Sequence, residues 1–491
     1  GFDSEDGTWL WTSLANYTGT KDKSLITDSA HSAAAIAAAN SWYQPGTAQF
    51  DSVYNAIINI PTRKDCSYPA NTRGSKFVDA SSFQHIETQY DFTDMLNNKL
   101  NLGLHNVIAG ASFRRYNANS YGTIFSDTLV NPADEIPGAI DINAEYVDIN
   151  TYEYGAYTQV SKRLFDKRLK LTGSIRFDDH VNYNPQFSPR VSAVYTYKDH
   201  NFRIAAQSAF RAPTLQNQYL NIDLGDLFLV GNLNGSTNNY ITSSVDAFLA
   251  MYDLTDTNGN YIGEIKPELL KTITLEPVQP EHLKSIEVGY RSIINNKLYI
   301  DLNAYYNSYN DFIANIRVIR PKGAAVAGEE SGSDAILTGA YREYQIPVNV
   351  KEEVITYSSS IGLHYYFGRG LMAKLNYTYA FMDTSGLGDI IPGFNTPRNK
   401  YNIGLVGTKV YKGFGFSINY KKVDGYFWES SFADGNVPAY DLVDVQVSYD
   451  FSELHSILRI GASNLLENKH IEAYGAPTVG RIIYTSWTFN L

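Results

Sequence analysis

The sequence predicts an all-β protein, a transmembrane up-and-down antiparallel β-barrel to which this chain contributes about 15–16 strands. Three observations carry that prediction. From residue 82 onward, segments of roughly ten to sixteen residues alternate apolar and polar side chains, about the length that crosses a bilayer at a tilt. Tight turns alternate with long irregular links. Finally, the last twelve residues, GRIIYTSWTFNL, set Leu491, Phe489, Trp487, Thr485 and Ile483 on one strand face. Asn490, Thr488, Ser486, Tyr484 and Ile482 fall on the other, since successive side chains point to opposite sides. Tyr484, Trp487, Phe489 and Leu491 give this end the aromatic, apolar ladder of a barrel's assembly strand.

In chain order, residues 1–81 read as a partial strand, Thr8–Tyr17, and a long outer loop. Within that loop Asp28–Asn40, DSAHSAAAIAAAN, predicts a short helix, an Asp/Ser start capping an alanine run. Residues 82–491 hold the barrel strands. Leu169, Leu171, Gly173, Ile175 and Phe177 oppose Lys170, Thr172, Ser174, Arg176 and Asp178. Leu298, Ile300, Leu302, Ala304 and Tyr306 oppose Tyr299, Asp301, Asn303 and Tyr305, and the pattern recurs at 371–381, 414–421 and 443–450.

Tight turns fall at Asp166–Lys167, Lys198–His200, Asn295–Asn296, Gly368–Gly370, Lys412–Gly413 and Ser452–His455. Between them lie long links at 118–148, 215–280, 315–352, 385–397 and 431–438. A membrane barrel has short turns on its periplasmic side and long extracellular loops, which produces this alternation directly. Thr242–Leu254 predicts a second loop helix. The run Asp256–Asn260, DTNGN, lacks EF-hand spacing and reads as an Asn-Gly turn.

Composition agrees. Aromatic residues make up 14% of the chain, with 38 Tyr, while mean hydropathy is only −0.27. In a barrel only alternate residues meet lipid, so hydropathy stays low while aromatics gather at the interfaces. No run of about 18 apolar residues exists, which excludes transmembrane helices. A net charge of −11 argues against nucleic acid, which calls for a basic stripe. The single Cys, Cys66, allows neither a disulfide framework nor a cysteine metal site. The nine His are scattered without an HExxH, and there is neither a Gly-x-Ser-x-Gly elbow nor a P-loop. His105 and His364 read as lumen or interface residues. No enzyme, metal or cofactor is predicted.

Three stretches carry a family resemblance: NFRIAAQSAFRAPT (201–214), EHLKSIEVGYRSIINNKLYIDLNAYYNSYNDFI (281–313) and LRIGASNLLENKHIEAYGAPTVGRIIYTSWTFNL (458–491). With their Phe-Arg-Ala-Pro strand end, Glu-x-Gly-Tyr opening and Asn-Leu-Leu-x-Asn-Lys element, they resemble the barrel of a TonB-dependent receptor of Bacteroidota type, from about residue 75 onward. That resemblance implies a bacterial outer membrane location and a barrel of about 22 strands around a plug. It also implies uptake of a scarce ligand (siderophore, haem, cobalamin, glycan or peptide), with the TonB-ExbB-ExbD system and a surface lipoprotein as partners. Nothing before residue 75 resembles a plug, so the chain reads as the C-terminal part of such a barrel. The alternatives are a passive porin-like barrel and a structural subunit of a larger envelope assembly.

Site residues follow from strand geometry. Phe202, Ile204, Ala206, Ser208 and Phe210 form one face of a strand, which turns Arg203, Gln207 and Arg211 toward the lumen. This strand leads into the link at 215–280, placing Arg211 at the outer rim, either to meet a ligand or to pair with a carboxylate that holds shape. Arg114 and Arg115 are neighbours, so only one faces inward. In the same link Tyr219, Phe228 and Tyr240 serve either to stack on ligand rings or to pack the loop.

Overall fold

The computed structural model describes residues 46–59, 75–127, 147–224, 227–253, 263–431 and 433–489. The Thr8–Tyr17 strand, the Asp28–Asn40 helix, Cys66, the Asp256–Asn260 turn and Leu491 lie outside those residues. A helix, α1 (Ala48–Asn59), precedes the first strand. The wall begins with β1 (Ser82–Asp91), α2 (Thr93–Leu100), β2 (Asn106–Ala118), β3 (Ile149–Leu164), β4 (Leu169–His180), β5 (Tyr183–Tyr197) and β6 (His200–Arg211). The next link holds α3 (Leu215–Tyr219), β7 (Asn221–Asp223), β8 (Leu227–Val230), β9 (Ser236–Ile241), α4 (Thr242–Tyr252) and β10 (Thr272–Leu275).

The wall resumes with β11 (Glu281–Ile294) and β12 (Leu298–Asn310). It is interrupted by β13 (Ile313–Pro321), α5 (Glu330–Leu337) and β14 (Tyr341–Asn349). It then continues through β15 (Val354–Gly368), β16 (Leu371–Met382), a short β17 (Ile390–Ile391), β18 (Asn399–Tyr411) and β19 (Phe414–Val423). After the hairpin β20 (Tyr426–Trp428) and β21 (Gly435–Val437), it ends with β22 (Tyr440–Phe451), β23 (Ser456–Ser463) and β24 (Ile482–Phe489).

Among the described residues fifteen strands pair in one sheet, in the order β1-β2-β3-β4-β5-β6-β11-β12-β15-β16-β18-β19-β22-β23-β24. Every neighbour in it is antiparallel, and each wall strand pairs with the wall strand that follows it in the chain. This is the meander of strands that the period-two pattern predicts. Among the described residues β1 pairs only with β2, and β24 only with β23. Among the described residues no helix is long and apolar enough to cross a membrane.

The two faces separate as the alternation requires. Val191, Ile204 and Ile286 remain 61%, 55% and 54% exposed on one side of the sheet. Ile175, Ile403 and Ile460 join them, a continuous apolar belt far larger than a water-exposed surface tolerates. The opposite face carries arginines, carboxylates and amides.

The alternation of short and long links is not strict. Residues 181 and 182 alone join β4 to β5 on the loop side, where Asn182 donates to Gln218 (2.6 Å) and Tyr219 (2.9 Å). On the turn side, β1 and β2 are joined by a link containing α2 rather than by a tight turn. Asn97 holds that link closed through reciprocal 2.8 Å bonds with the backbone of Leu104.

The long links do not stand apart as separate loops. Strands from the links after β6, β12 and β16 form a second sheet, β10-β9-β13-β14-β8-β7, with β17 added to β13. It has two cores of its own. Phe228, Leu275, Ile316, Val318, Tyr344, Ile346 and Val348 fill one; Tyr240, Val245, Phe248, Ile319 and Ile336 fill the other. The helix expected at Thr242–Leu254 is present as α4, with Val245 and Phe248 fully buried.

Candidate functional site

Inward-facing side chains on β6, β11 and β12 form the centre of the lumenal wall. The register Arg203↔Gly289↔Asn303 sets three residues in one row. Gly289 has no side chain, so the Arg203 guanidinium lies across it and donates to Asn303 at 3.1 Å and to Glu287. Two same-face rows higher, Gln207 sits opposite both Arg190 and Ser285.

Arg211 occupies the rim. It donates to Glu281 Oε2 at 2.7 Å and to the Ile313 carbonyl at 3.1 Å, while Glu281 also accepts the Ile313 backbone N–H at 2.9 Å. Glu281 is buried and Arg211 half-exposed. The pair therefore clamps the ends of β6 and β11 to the start of β13, tying the wall to the loop sheet. One face of Arg211 stays open to solvent.

The neighbouring strands repeat the pattern. Arg114, not Arg115, faces inward and pairs with Glu153 at 3.1 Å. Arg115 turns outward, lies 5.6 Å from the Tyr152 ring centroid and donates to Asn150. Arg176 Nε donates to Asp178 at 2.8 Å, and Arg291 Nε to Asp301 at 3.0 Å. The lumenal charges are thus largely neutralised in pairs, each joining a partly exposed guanidinium to a more buried carboxylate. His364 packs its ring 5.4 Å from that of Tyr299.

Above the wall, Tyr240 is 1% exposed and its hydroxyl accepts the Gly328 N–H at 2.7 Å. Phe228 packs against Tyr344 at 5.5 Å, with the Arg342 guanidinium 4.7 Å from its centroid. Tyr219 accepts from Asn182 and joins the cluster of Ala118, Phe125 and Ile149. All three rings are engaged in packing the loops.

Residues 424–431 and 433–439 are bound to the same body. Arg317 on β13 pairs with Asp434 at 3.0 Å and donates to the Ser430 carbonyl at 3.1 Å. Glu429 accepts the Gly393 N–H at 2.8 Å, and Asn395 exchanges two 2.8 Å bonds with the Glu429 backbone. Burial pushes the Glu429 carboxyl above the usual range, the Gly393 N–H opposes this, and Asp434 adds to it. Glu281, Glu287 and the Glu429 joint carry no local motif. Only their positions opposite an arginine or a glycine after folding mark them.

The family model described as "TonB dependent receptor-like, beta-barrel" matches residues 2–465. No curated protein matches the chain in sequence. Among solved structures, the siderophore receptor PirA from Acinetobacter baumannii superposes with a TM-score of 0.55 at 14% identity, covering 87% of this chain and 57% of that one. A mutant of the ferric enterobactin receptor PfeA from Pseudomonas aeruginosa gives 0.57 at 14% identity, with the same coverage. The iron transporter FrpB from Neisseria meningitidis gives 0.53 at 11% identity, covering 83% and 54%. This chain therefore spans little more than half the length of the receptors it resembles, and at these identities the likeness is one of fold. The lipid-facing belt, the charged inner wall, the meander of strands and the family match converge: the chain belongs to the TonB-dependent receptor family, as a β-barrel of the bacterial outer membrane.

Proposed function

We propose that this chain forms the C-terminal part of the barrel wall and the extracellular loops of an active receptor. Its work is the uptake of a scarce ligand, with an iron chelate first among the candidates and haem, cobalamin, glycans and peptides behind it. The observation that carries this reading is the loop sheet. Strands from three long links are knitted into one packed body at the outer end of the wall, and a fourth link is tied to it through Arg317. Iron uptake is taken first because PirA is a siderophore receptor, PfeA a ferric enterobactin receptor and FrpB an iron transporter.

In this reading Arg211, Arg203 and Gln207 line the path below the loops, and the exposed face of Arg211 meets an anionic ligand. The two sheet edges, unpaired among the described residues, favour completion by further strands around a plug. An open edge in lipid would leave several kcal/mol of unmade hydrogen bonds, to about that order for each group. Energy then comes from TonB-ExbB-ExbD acting on the plug, with a surface lipoprotein as a further partner. A Bacteroidota origin fits the tyrosine-rich strands. The test is uptake of radiolabelled ferric siderophores by cells expressing the full-length protein, with and without TonB. TonB-dependent accumulation supports the proposal. Equal entry without TonB favours the porin-like alternative, and binding without entry the structural one.

A further inference from the structure

The wall is not uniformly sealed. β5 and β6 pair from Arg190↔Gln207 to Tyr197↔His200, yet β5 begins at Tyr183 and β6 runs on to Arg211. The ladder stops beside Pro189, which has no N–H to contribute. Above that point β5 stays paired with β4 and β6 with β11, so the two strands diverge. The divergence is pinned near the rim, where the His282 ring and Gln186 make a 2.8 Å hydrogen bond. Between pin and ladder lies a cleft of about 550 Å³.

Its lining includes residues from both faces of the sheet. Val191, Ala206, Ile286 and Tyr306 form an apolar floor on the lipid side. One row nearer the loops come Ser208, Lys284 and Ser308. Arg190 reaches the cleft from the lumenal face. Both cations are exposed, and among the described residues neither Arg190 nor Lys284 forms an ion pair. The one carboxylate in the lining, Glu353, accepts a hydrogen bond from the Ser308 hydroxyl.

We propose that this cleft is a binding site for an outer-leaflet lipid with a phosphate head group. One acyl chain lies on the Val191, Ala206, Ile286 and Tyr306 floor, and Lys284 and Arg190 hold the phosphate. Lipid is the occupant because the cleft opens on the apolar belt at the outer end of the strands, and because Lys284 lies one row nearer the loops than the floor on the same face, with Arg190 entering the cleft where the β5–β6 ladder ends. A basic side chain at a membrane surface is worth about a fivefold preference for anionic lipid.

The test uses the full-length protein in nanodiscs with spin-labelled phosphatidic acid or phosphatidylcholine of matched chains. Phosphatidic acid should show an immobilised component with a preference of about fivefold or more. In a Lys284→Gln/Arg190→Gln protein the preference should fall to about one, and Lys284→Arg should retain it. Ala206→Phe, which fills the floor but keeps both cations, should lower the immobilised fraction of either lipid. Folding of each variant is checked by its heat-modifiable migration. Equal retention of the two lipids by the wild type, or an undiminished preference in the folded double variant, would overturn the proposal.

Discussion

The hydroxyl of Tyr157 on β3 donates to Gln89 on β1 at 2.6 Å, across the whole width of the strand between them. The row Gln89↔Gly110↔Tyr157 makes this reach available, because Gly110 leaves the lumenal surface bare and the Tyr157 ring lies flat over it. A Cβ at Gly110 would stand 2.7 Å from that ring. The same triplet recurs near the opposite edge. Tyr484 covers Gly461, and its hydroxyl donates to Gln446 at 3.2 Å in the row Gln446↔Gly461↔Tyr484. With Arg203 across Gly289, these rows stitch the wall in threes on its inner face.

Gly110→Leu and Gly461→Leu should therefore destabilise the barrel, each by about 1–3 kcal/mol from overpacking. Tyr157→Phe, which keeps the ring and loses one hydrogen bond, should cost about 1 kcal/mol. Urea unfolding of the refolded protein, followed by tryptophan fluorescence, measures both. A Gly110→Leu barrel with the wild-type midpoint would contradict the stitching.

At the rim, Glu281 matters more than the arginine it holds. Glu281→Ala leaves the Ile313 N–H without its acceptor and Arg211 without its partner, and an unmade buried hydrogen bond costs about 1–3 kcal/mol. Arg211→Ala removes a half-exposed cation, so its own effect on stability is smaller. Limited proteolysis of intact cells should cut the 215–280 link faster in Glu281→Ala than in Arg211→Ala. The reverse order would mean that the clamp does not join wall to loops.

The Glu429 joint should respond to pH. Its carboxyl titrates above the usual range, so the folded protein favours the neutral form more than the unfolded chain does. The charged form is a cost at neutral pH, and that cost is relieved as pH falls through the raised value. Hydrogen exchange in residues 393–395 and 429–434 should slow as pH falls toward the ordinary glutamate range, after correction for intrinsic rates. Glu429→Gln should be protected at neutral pH and flat across the window. Protection that falls with pH in the wild type would reverse the sign.

Much of the wall was legible because lipid on one side and lumen on the other impose strict alternation, as in Leu169–Phe177 and Leu298–Tyr306. Parity alone then turns Arg203 and Arg211 inward. Their partners were not legible, since Glu281 lies 70 residues after Arg211 and Glu287 lies 84 after Arg203, and only register brings them together. The loop sheet escaped for a different reason. β13, IANIRVIRP, is largely buried on both faces and shows little alternation, and β8 joins β14 in parallel from a distant link. For Tyr240 and Phe228 the sequence left ligand stacking and loop packing both open, and it is in the cores of that sheet that their rings are found.

Charge scanning of the last hairpin tests the facing of the wall and its depth together. Ile460 and Trp487 point to lipid, 54% and 58% exposed, and Trp487 stacks on Phe489 at 5.2 Å near the turn-side boundary. Thr488 points inward and accepts a 3.1 Å hydrogen bond from Arg459. Arginine on the lipid face costs about 2–4 kcal/mol at mid-membrane and about 0–1 kcal/mol near an interface, whereas a wet lumen solvates it. Ile460 lies opposite Thr485, midway along β24, so Ile460→Arg should impair assembly most. Trp487→Arg should follow, losing the stacked pair as well, and Thr488→Arg should be mildest despite the nearby Arg459. The fraction of heat-modifiable, folded protein in outer membranes ranks the three. Thr488→Arg proving as harmful as Ile460→Arg would exchange the two faces of the wall, and with them the inward placement of Arg203, Gln207 and Arg211.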